Sequence, residues 1–92
     1  TGVSGLVADR MGRIIEDLSS VLQIVNITHL PQVASKGEVH FFVYKEDAAE
    51  GTVTRLRRLT PEQRVEEIAK MLSGADVTQA ALEQARLLLK AD

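Results

Sequence analysis

The stretch that decides the fold runs Ile27-Thr28-His29-Leu30-Pro31-Gln32-Val33-Ala34, in which a histidine ends an apolar segment and a proline follows. Residues 23–28 are rich in β-branched side chains and too few for a typical helix, which predicts a buried strand. Residues 30–35 then predict a short helix, with Pro31 tolerated in its first turn and Gly37 ending it. Ligands of open α/β sheets bind just beyond the carboxyl ends of strands, which is where His29 is predicted to lie, although a histidine after a strand is more often a structural hydrogen-bonding residue.

A helix is predicted before this strand. Ser4 is a good N-cap, and the helix should run to about residue 19 or 20. Apolar side chains recur at steps of three and four and form one stripe that must pack on something, namely Val7, Met11, Ile14, Ile15, Leu18 and Leu22. A helix joined tightly to a strand is half of a βαβ unit, so the sequence predicts the α/β class.

The second half of the chain predicts a β-hairpin and two helices. Residues 38–45 and 52–59 alternate like strands, and residues 47–51 form the connecting loop. Thr60, Pro61 and Gln63 carry a capping box that starts a helix, and Gly74 ends it. A last helix is capped by Asp76 or Thr78, and the side chains predicted to face inward are Ala81, Leu82, Ala85, Leu88 and Leu89.

Composition limits the kinds of function. Ninety-two residues allow one domain, and the formal charge of −2 is unlike that of a chain that binds nucleic acid mainly by its net charge. Aromatic residues make up 3%, too few for a large base-stacking platform, and there is no cysteine for a disulfide or a zinc thiolate site. No cluster of His, Asp and Glu predicts a metal site, and no apolar run reaches the roughly 20 residues of a membrane span.

Three segments in the same order resemble a known family. The strand ending in Thr28-His29-Leu30-Pro31-Gln32 is similar to the switch-histidine segment of the RecN family of bacterial DNA repair proteins, which are ABC-type ATPases related to the SMC proteins. Thr1-Gly2-Val3-Ser4-Gly5 resembles the family's D-loop, directly after the Walker B acidic pair. Residues 64–74 resemble its C-terminal helix. The resemblance extends from residue 1 to about residue 89.

The resemblance implies a fold and a division of the chain. The fold would be part of a P-loop NTPase of the ABC-ATPase head type, with a helix, a buried strand, a short helix, a β-hairpin and two C-terminal helices. Residues 1–37 would hold the D-loop, helix, strand and switch histidine, residues 38–59 the hairpin, and residues 60–92 the C-terminal helices. The Walker A loop, a long coiled coil, the signature motif and the Walker B carboxylates are expected upstream of residue 1.

The resemblance also implies site residues and partners. His29 would contact the γ-phosphate and the attacking water, and residues 1–5 would line the nucleotide and the dimer interface. Gln32 either faces the same site or caps a turn. ATP and Mg²⁺ would be bound by the full-length parent, a homodimer of heads acting on DNA in the bacterial cytoplasm, at the nucleoid. The isolated fragment is expected to bind neither and to be inactive.

Two other functions remain open from the residues alone. The chain could be a self-standing protein-interaction module without a nucleotide role, in which His29 is structural. It could also contact DNA phosphates through Arg55, Arg57 and Arg58, its densest basic patch, although a solvated strand face explains those arginines better because acidic residues are abundant nearby. Cut free from a larger head, the strand and the first helix would leave unpaired edges and an uncovered stripe, so the fragment is expected to self-associate.

Overall fold

The computed structural model of this chain describes residues 5–74 and 76–90, which form four helices and one β-hairpin. The chain is therefore mixed α/β, as predicted. Within the described residues the elements follow in the order α1 Gly5–Ser19, α2 Pro31–Ala34, β1 Phe41–Ala48, β2 Gly51–Arg58, α3 Pro61–Ser73 and α4 Gln79–Lys90.

Side-chain caps fix where the two C-terminal helices begin. At the start of α3, Thr60 Oγ1 accepts a hydrogen bond from the Gln63 N–H at 3.2 Å, and Gln63 Oε1 accepts one from the Thr60 N–H at 3.0 Å. This is the capping box that the sequence predicts. Thr78, and not Asp76, caps α4, because its Oγ1 accepts from the Ala81 N–H at 3.0 Å.

The core lies between α3 and α4 and is small. Ile68 and Ala69 of α3 are fully buried against Ala81 and Ala85 of α4. The apolar face predicted for α4 is therefore confirmed. The partly buried side chains packed around this core are Ala34, Val65, Met71, Leu72, Leu82, Leu88 and Leu89. Ala34 is the point at which α2 joins the core.

The hairpin is antiparallel, with a shorter loop than the sequence predicts. Its register pairs Phe41 with Arg58 and, at the tip, Ala48 with Gly51, which leaves a two-residue turn in place of the predicted loop over residues 47–51. Gly51 has φ +120°, a conformation that L side chains rarely adopt. The tight turn is possible because glycine carries no Cβ.

The prediction of a buried strand over residues 23–28 is wrong. The segment has no regular secondary structure, and Val25 and Ile27 are 86% and 97% exposed. A strand needs a neighbour to satisfy its backbone hydrogen bonds. Among the described residues, β1 and β2 pair with each other, so the β-branched segment is left without a sheet to join.

The prediction that α1 packs through its apolar stripe is also wrong. Met11, Ile14 and Leu18 are 42%, 60% and 47% exposed, whereas Ala8 and Gly12 are the buried residues of the helix. The reason is that α2 lies on the small-residue face of α1, where its backbone can approach closely.

The resulting shape is open. The Cα radius of gyration is 14.4 Å, compared with about 12 Å for a compact chain of this length. The accessible surface is 6944 Å², compared with roughly 5,300 Å² for a compact monomer of this mass. Across residues 5–74 and 76–90, no helix combines the length and apolarity needed to cross a membrane.

Candidate functional site

His29 lies at a corner between the irregular segment and α2. Thr28 Oγ1 accepts a hydrogen bond from the Leu30 N–H at 3.0 Å, a local side-chain turn that bends the backbone around His29. Leu30 then adopts an extended conformation as the N-cap, and Pro31 takes the first helical position. The His29 side chain is exposed. The local sequence therefore presents an imidazole to solvent directly before a short helix.

Gly12 allows α2 to lie against the backbone of α1. A Cβ built on Gly12 would lie 2.8 Å from the Gln32 carbonyl oxygen and 3.1 Å from Lys36 Cγ. Real Cβ atoms do not approach a backbone oxygen this closely, so a residue with a side chain would push the two helices apart. The position of α2, and of the corner that precedes it, therefore depends on glycine at this site.

The Gln32 side chain reaches the start of α1. Its Nε2 lies 3.3 Å from the position that a Cβ would take on Gly5. Gly5 is the last residue of the predicted D-loop, while residues 1–4 of that loop lie outside the described residues. The structure thus brings two of the predicted site residues together.

An ion-pair network also joins α1 to the residues after α2. Asp9 Oδ2 is 3.0 Å from Arg13 Nε, and its Oδ1 is 3.7 Å from Nζ of Lys36. The hydrogen bond from Arg13 lowers the pKa of Asp9, assisted by the charge of Lys36. The Lys36 side chain is only 3% exposed. Burial of this long side chain over Gly12 holds the end of α2 in place.

Sequence reasoning missed this packing surface. Gly5, Ala8 and Gly12 recur at three- and four-residue steps along α1, a spacing that places small side chains on one face of a helix. The larger apolar stripe beside them is a stronger hydrophobic signal and points to a different face. The small residues are the signal that predicts close backbone contact.

Two of the three hairpin arginines are engaged within the hairpin. Arg55 Nε is 2.9 Å from Glu46 Oε2, so this charge is locally neutralised. The Arg57 guanidinium lies over the rings of Phe42 and Tyr44, at 5.7 Å and 5.9 Å from their centroids. A cation held over two aromatic rings stabilises the sheet face and is partly withdrawn from other ligands.

Arg58 points from the opposite face of β2 and lines a groove at the base of the hairpin. The groove has a volume of about 340 Å³ and is lined by Glu38, Val39, His40, Arg58, Leu59, Thr60, Pro61 and Arg64. Arg64 spans one side of it, donating from Nη2 to the Gly37 carbonyl at 2.6 Å and from Nη1 to the Glu38 carbonyl at 3.3 Å. The predicted basic patch of Arg55, Arg57 and Arg58 is therefore divided between two faces.

His40 makes the stability of the chain depend on pH. Burial lowers the pKa of its imidazole, and the nearby Arg64 charge lowers it further, against a smaller opposing effect of Glu67. The unfolded chain therefore binds a proton more readily than the folded chain, and the free energy of unfolding should fall as the pH drops below about 6.5. Urea unfolding between pH 7.5 and 5 would measure this slope.

The variant His40→Gln is the control, because it removes the titrating group and should flatten the slope over the same range. Asp9 does not interfere, because its pKa is lowered and its own contribution is lost only below about pH 5. A slope that persists unchanged in the variant would contradict the assignment to His40.

The side chains of His29 and Gln32 are better suited to bind phosphate oxygens than to bind a metal cation. A neutral imidazole and an amide offer hydrogen-bond donors, whereas Mg²⁺ prefers carboxylate oxygens. Across residues 5–74 and 76–90, no group of three or more His, Asp or Glu side chains could hold a metal ion. His29 and Gln32 are thus suited to contact the phosphate end of a nucleotide.

The chain is similar to DNA repair proteins named RecN. It is 42% identical over 88 residues to the RecN of Rickettsia conorii, 39% over 89 residues to that of Halalkalibacterium halodurans and 40% over 90 residues to that of Bacillus subtilis. These matches cover 96%, 97% and 98% of the chain. The chain spans 16% of the length of each of these curated relatives. No protein-family profile matches the chain.

Proposed function

Since this chain matches RecN DNA repair proteins at about 40% identity over nearly its whole length, as a C-terminal fragment of RecN would, we propose that it forms the C-terminal part of an ABC-type ATPase head. The full-length protein uses this head in the recombinational repair of DNA double-strand breaks. Its fold is of the P-loop NTPase type, and it acts in the bacterial cytoplasm at the nucleoid.

One arrangement carries the proposal: the His29 corner precedes a helix that reaches Gly5. Gln32 Nε2 lies 3.3 Å from the Cβ position of Gly5, and the Thr28–Leu30 hydrogen bond holds His29 exposed one turn earlier. In a dimer of heads, a switch histidine and a D-loop would both border the nucleotide sites at the interface. The packing of α2 on α1 supports the proposal, because it brings the helix that follows His29 next to Gly5, the last residue of the predicted D-loop.

His29 would act through hydrogen bonding. A neutral imidazole donates one hydrogen bond and accepts another, so His29 can donate to a phosphate oxygen while orienting a water with its other nitrogen. ATP, when bound, supplies the phosphoanhydride bond that is hydrolysed. The general base would be a Walker B carboxylate outside this chain, so the isolated chain is not expected to hydrolyse ATP.

Residues 1–5 would cross the interface between two heads. Glycine and small residues let one backbone approach another closely, which suits a loop that couples two nucleotide sites in a homodimer. Mg²⁺ would be held mainly by residues outside this chain. The head dimer would transmit nucleotide binding and hydrolysis to DNA held by the full-length protein.

ATP turnover by the full-length protein with His29 replaced tests the proposal. The competing function is a protein-interaction module in which His29 is structural, and its support is the exposed apolar surface of α1 and residues 21–27. A module would lose partner binding, and not turnover, when that surface is changed. One variant at His29 and one in the exposed apolar surface therefore distinguish the two functions: an ATPase loses turnover with the first, and an interaction module loses partner binding with the second.

The exposed apolar surface should drive self-association of the isolated chain. Val21, Val25 and Ile27 are 78%, 86% and 97% exposed, and large apolar patches of this kind mark protein contacts. In the full-length protein the rest of the head would cover them. Light scattering of the 10.1 kDa chain at high concentration is expected to give a mass above that of a monomer.

Two double variants test whether the exposed apolar residues of this segment cause the self-association. Val25→Asp with Ile27→Asp should restore the monomer mass, because the new charges oppose burial of this segment. Gln23→Asp with Asn26→Asp adds the same charge at polar positions of the same segment and should leave self-association largely intact. A wild-type chain that is monodisperse at the monomer mass contradicts the expectation.

A further inference from the structure

The groove at the base of the hairpin brings together three side chains that donate hydrogen bonds. Arg58 comes from the end of β2, Arg64 from the second turn of α3, and His40 from the residue before β1. Arg58 is exposed and forms no salt bridge within the described part of the chain. The groove therefore combines an available guanidinium with a second guanidinium that is fixed in place.

Two nitrogens beside this groove lack hydrogen-bond partners. Arg64 Nε and His40 Nδ1 are both shielded from solvent, and neither has a partner among residues 5–74 and 76–90. A guanidinium N–H can only donate, so its missing partner must be an acceptor. Burying a donor without an acceptor is costly, which favours a ligand rich in acceptor oxygens at this position.

We propose that this groove binds a phosphate group of the DNA backbone. The planar guanidinium matches the geometry of phosphate oxygens, so Arg58 would meet the phosphate from the open side of the groove. Arg64 would supply positive charge from one side of the groove. The choice of DNA as the source of the phosphate rests on the proposed role in DNA repair.

The structure favours this groove over the hairpin face that the sequence singles out. Arg55 is neutralised by Glu46, and Arg57 is held over two aromatic rings. The tip of the hairpin carries Asp47 and Glu50, which would repel a DNA strand. Of the three hairpin arginines, Arg58 beside the groove is the one with neither an ion pair nor a ring contact given among the described residues.

Two arginines of one strand give a matched test. In the full-length protein, Arg58→Gln should weaken binding of a labelled 20-base-pair duplex at least threefold by fluorescence anisotropy at low salt. It should also reduce the slope of log affinity against log salt by about one. Arg55→Gln removes the same charge from the same strand and should leave both quantities near their wild-type values. Equal losses in the two variants, or none in either, overturn the proposal.

A second measurement avoids variants that disturb folding, since Arg64 also holds the backbone at residues 37 and 38. The ring resonances of His40 should shift by NMR when the same duplex is added to the chain, and should shift with inorganic phosphate but not with chloride at equal ionic strength. A shift with phosphate but none with DNA assigns the groove to a small anion and overturns the DNA contact. Because ATP turnover of the His29 variant is measured separately, failure here is distinct from failure of the proposed ATPase function.

Discussion

Replacing His29 with alanine in the full-length protein is expected to lower ATP turnover at least 100-fold. Groups that position or transfer protons in a transition state contribute about 100- to 10,000-fold, and His29 is the exposed imidazole at the corner before α2. The loss should appear in kcat, with KM for ATP changed little, because most contacts to the nucleotide would come from other parts of the head. Steady-state turnover measurements would show it.

Two further variants sharpen this test. His29→Gln keeps a hydrogen-bond donor and should retain part of the activity that alanine loses. Gln23→Ala changes an exposed polar residue of the same segment and should leave turnover unchanged. If His29→Ala stays within twofold of the wild type, the ATPase assignment of this chain is wrong, and survival of cells after double-strand breaks should then be equally unaffected.

Replacing Gly12 with alanine is expected to destabilise the chain by about 1–2 kcal/mol. The added Cβ would lie 2.8 Å from the Gln32 carbonyl oxygen, a backbone atom that cannot move without shifting α2. Overpacking of this kind costs about 1–3 kcal/mol, while the higher helix propensity of alanine returns up to about 1 kcal/mol. Urea unfolding would give the net change in the free energy of unfolding.

Gly5→Ala is the control for Gly12→Ala, because it adds the same methyl group to the same helix. Its Cβ would meet only the end of the flexible Gln32 side chain, at 3.3 Å, so the change should stay within about 0.5 kcal/mol. Should Gly12→Ala instead stabilise the chain, α2 would not lie against the backbone of α1. In the full-length protein, displacement of α2 should also lower ATP turnover, since His29 precedes it directly.

Much of the fold follows from local sequence signals. The capping box of Thr60 and Gln63, the proline that starts α2 and the alternation of the hairpin act over a few residues, and each is found where the sequence predicts it. The buried strand over residues 23–28 failed because strand formation depends on neighbours that a local pattern cannot supply. The β-branched residues indicate a preference, and the absence of a pairing strand among the described residues overrides it.

In the candidate site, too, the sequence predicts individual residues but not the contacts between separate elements. Residues such as His29 and Gln32 can be singled out from their order along the chain. The contact of Gln32 with Gly5 and the grouping of Arg58 with Arg64 depend on how separate elements pack, so they could not be predicted from spacing. The separation of Arg58 from Arg55 and Arg57 follows from the alternation of side chains along a strand, so it could be predicted from the sequence.

Within the described part of the chain, the hairpin is attached to the other elements at one end, its base. The Leu59 N–H donates to the His40 carbonyl at 2.9 Å, and Arg64 holds the carbonyls of Gly37 and Glu38. From there two eight-residue strands extend for about 27 Å, and none of the helices α1 to α4 packs on them. Insertions, deletions and substitutions toward the tip are therefore insulated from the helical core, and this arm is the part of the molecule in which evolution can change length and charge at the lowest cost to folding.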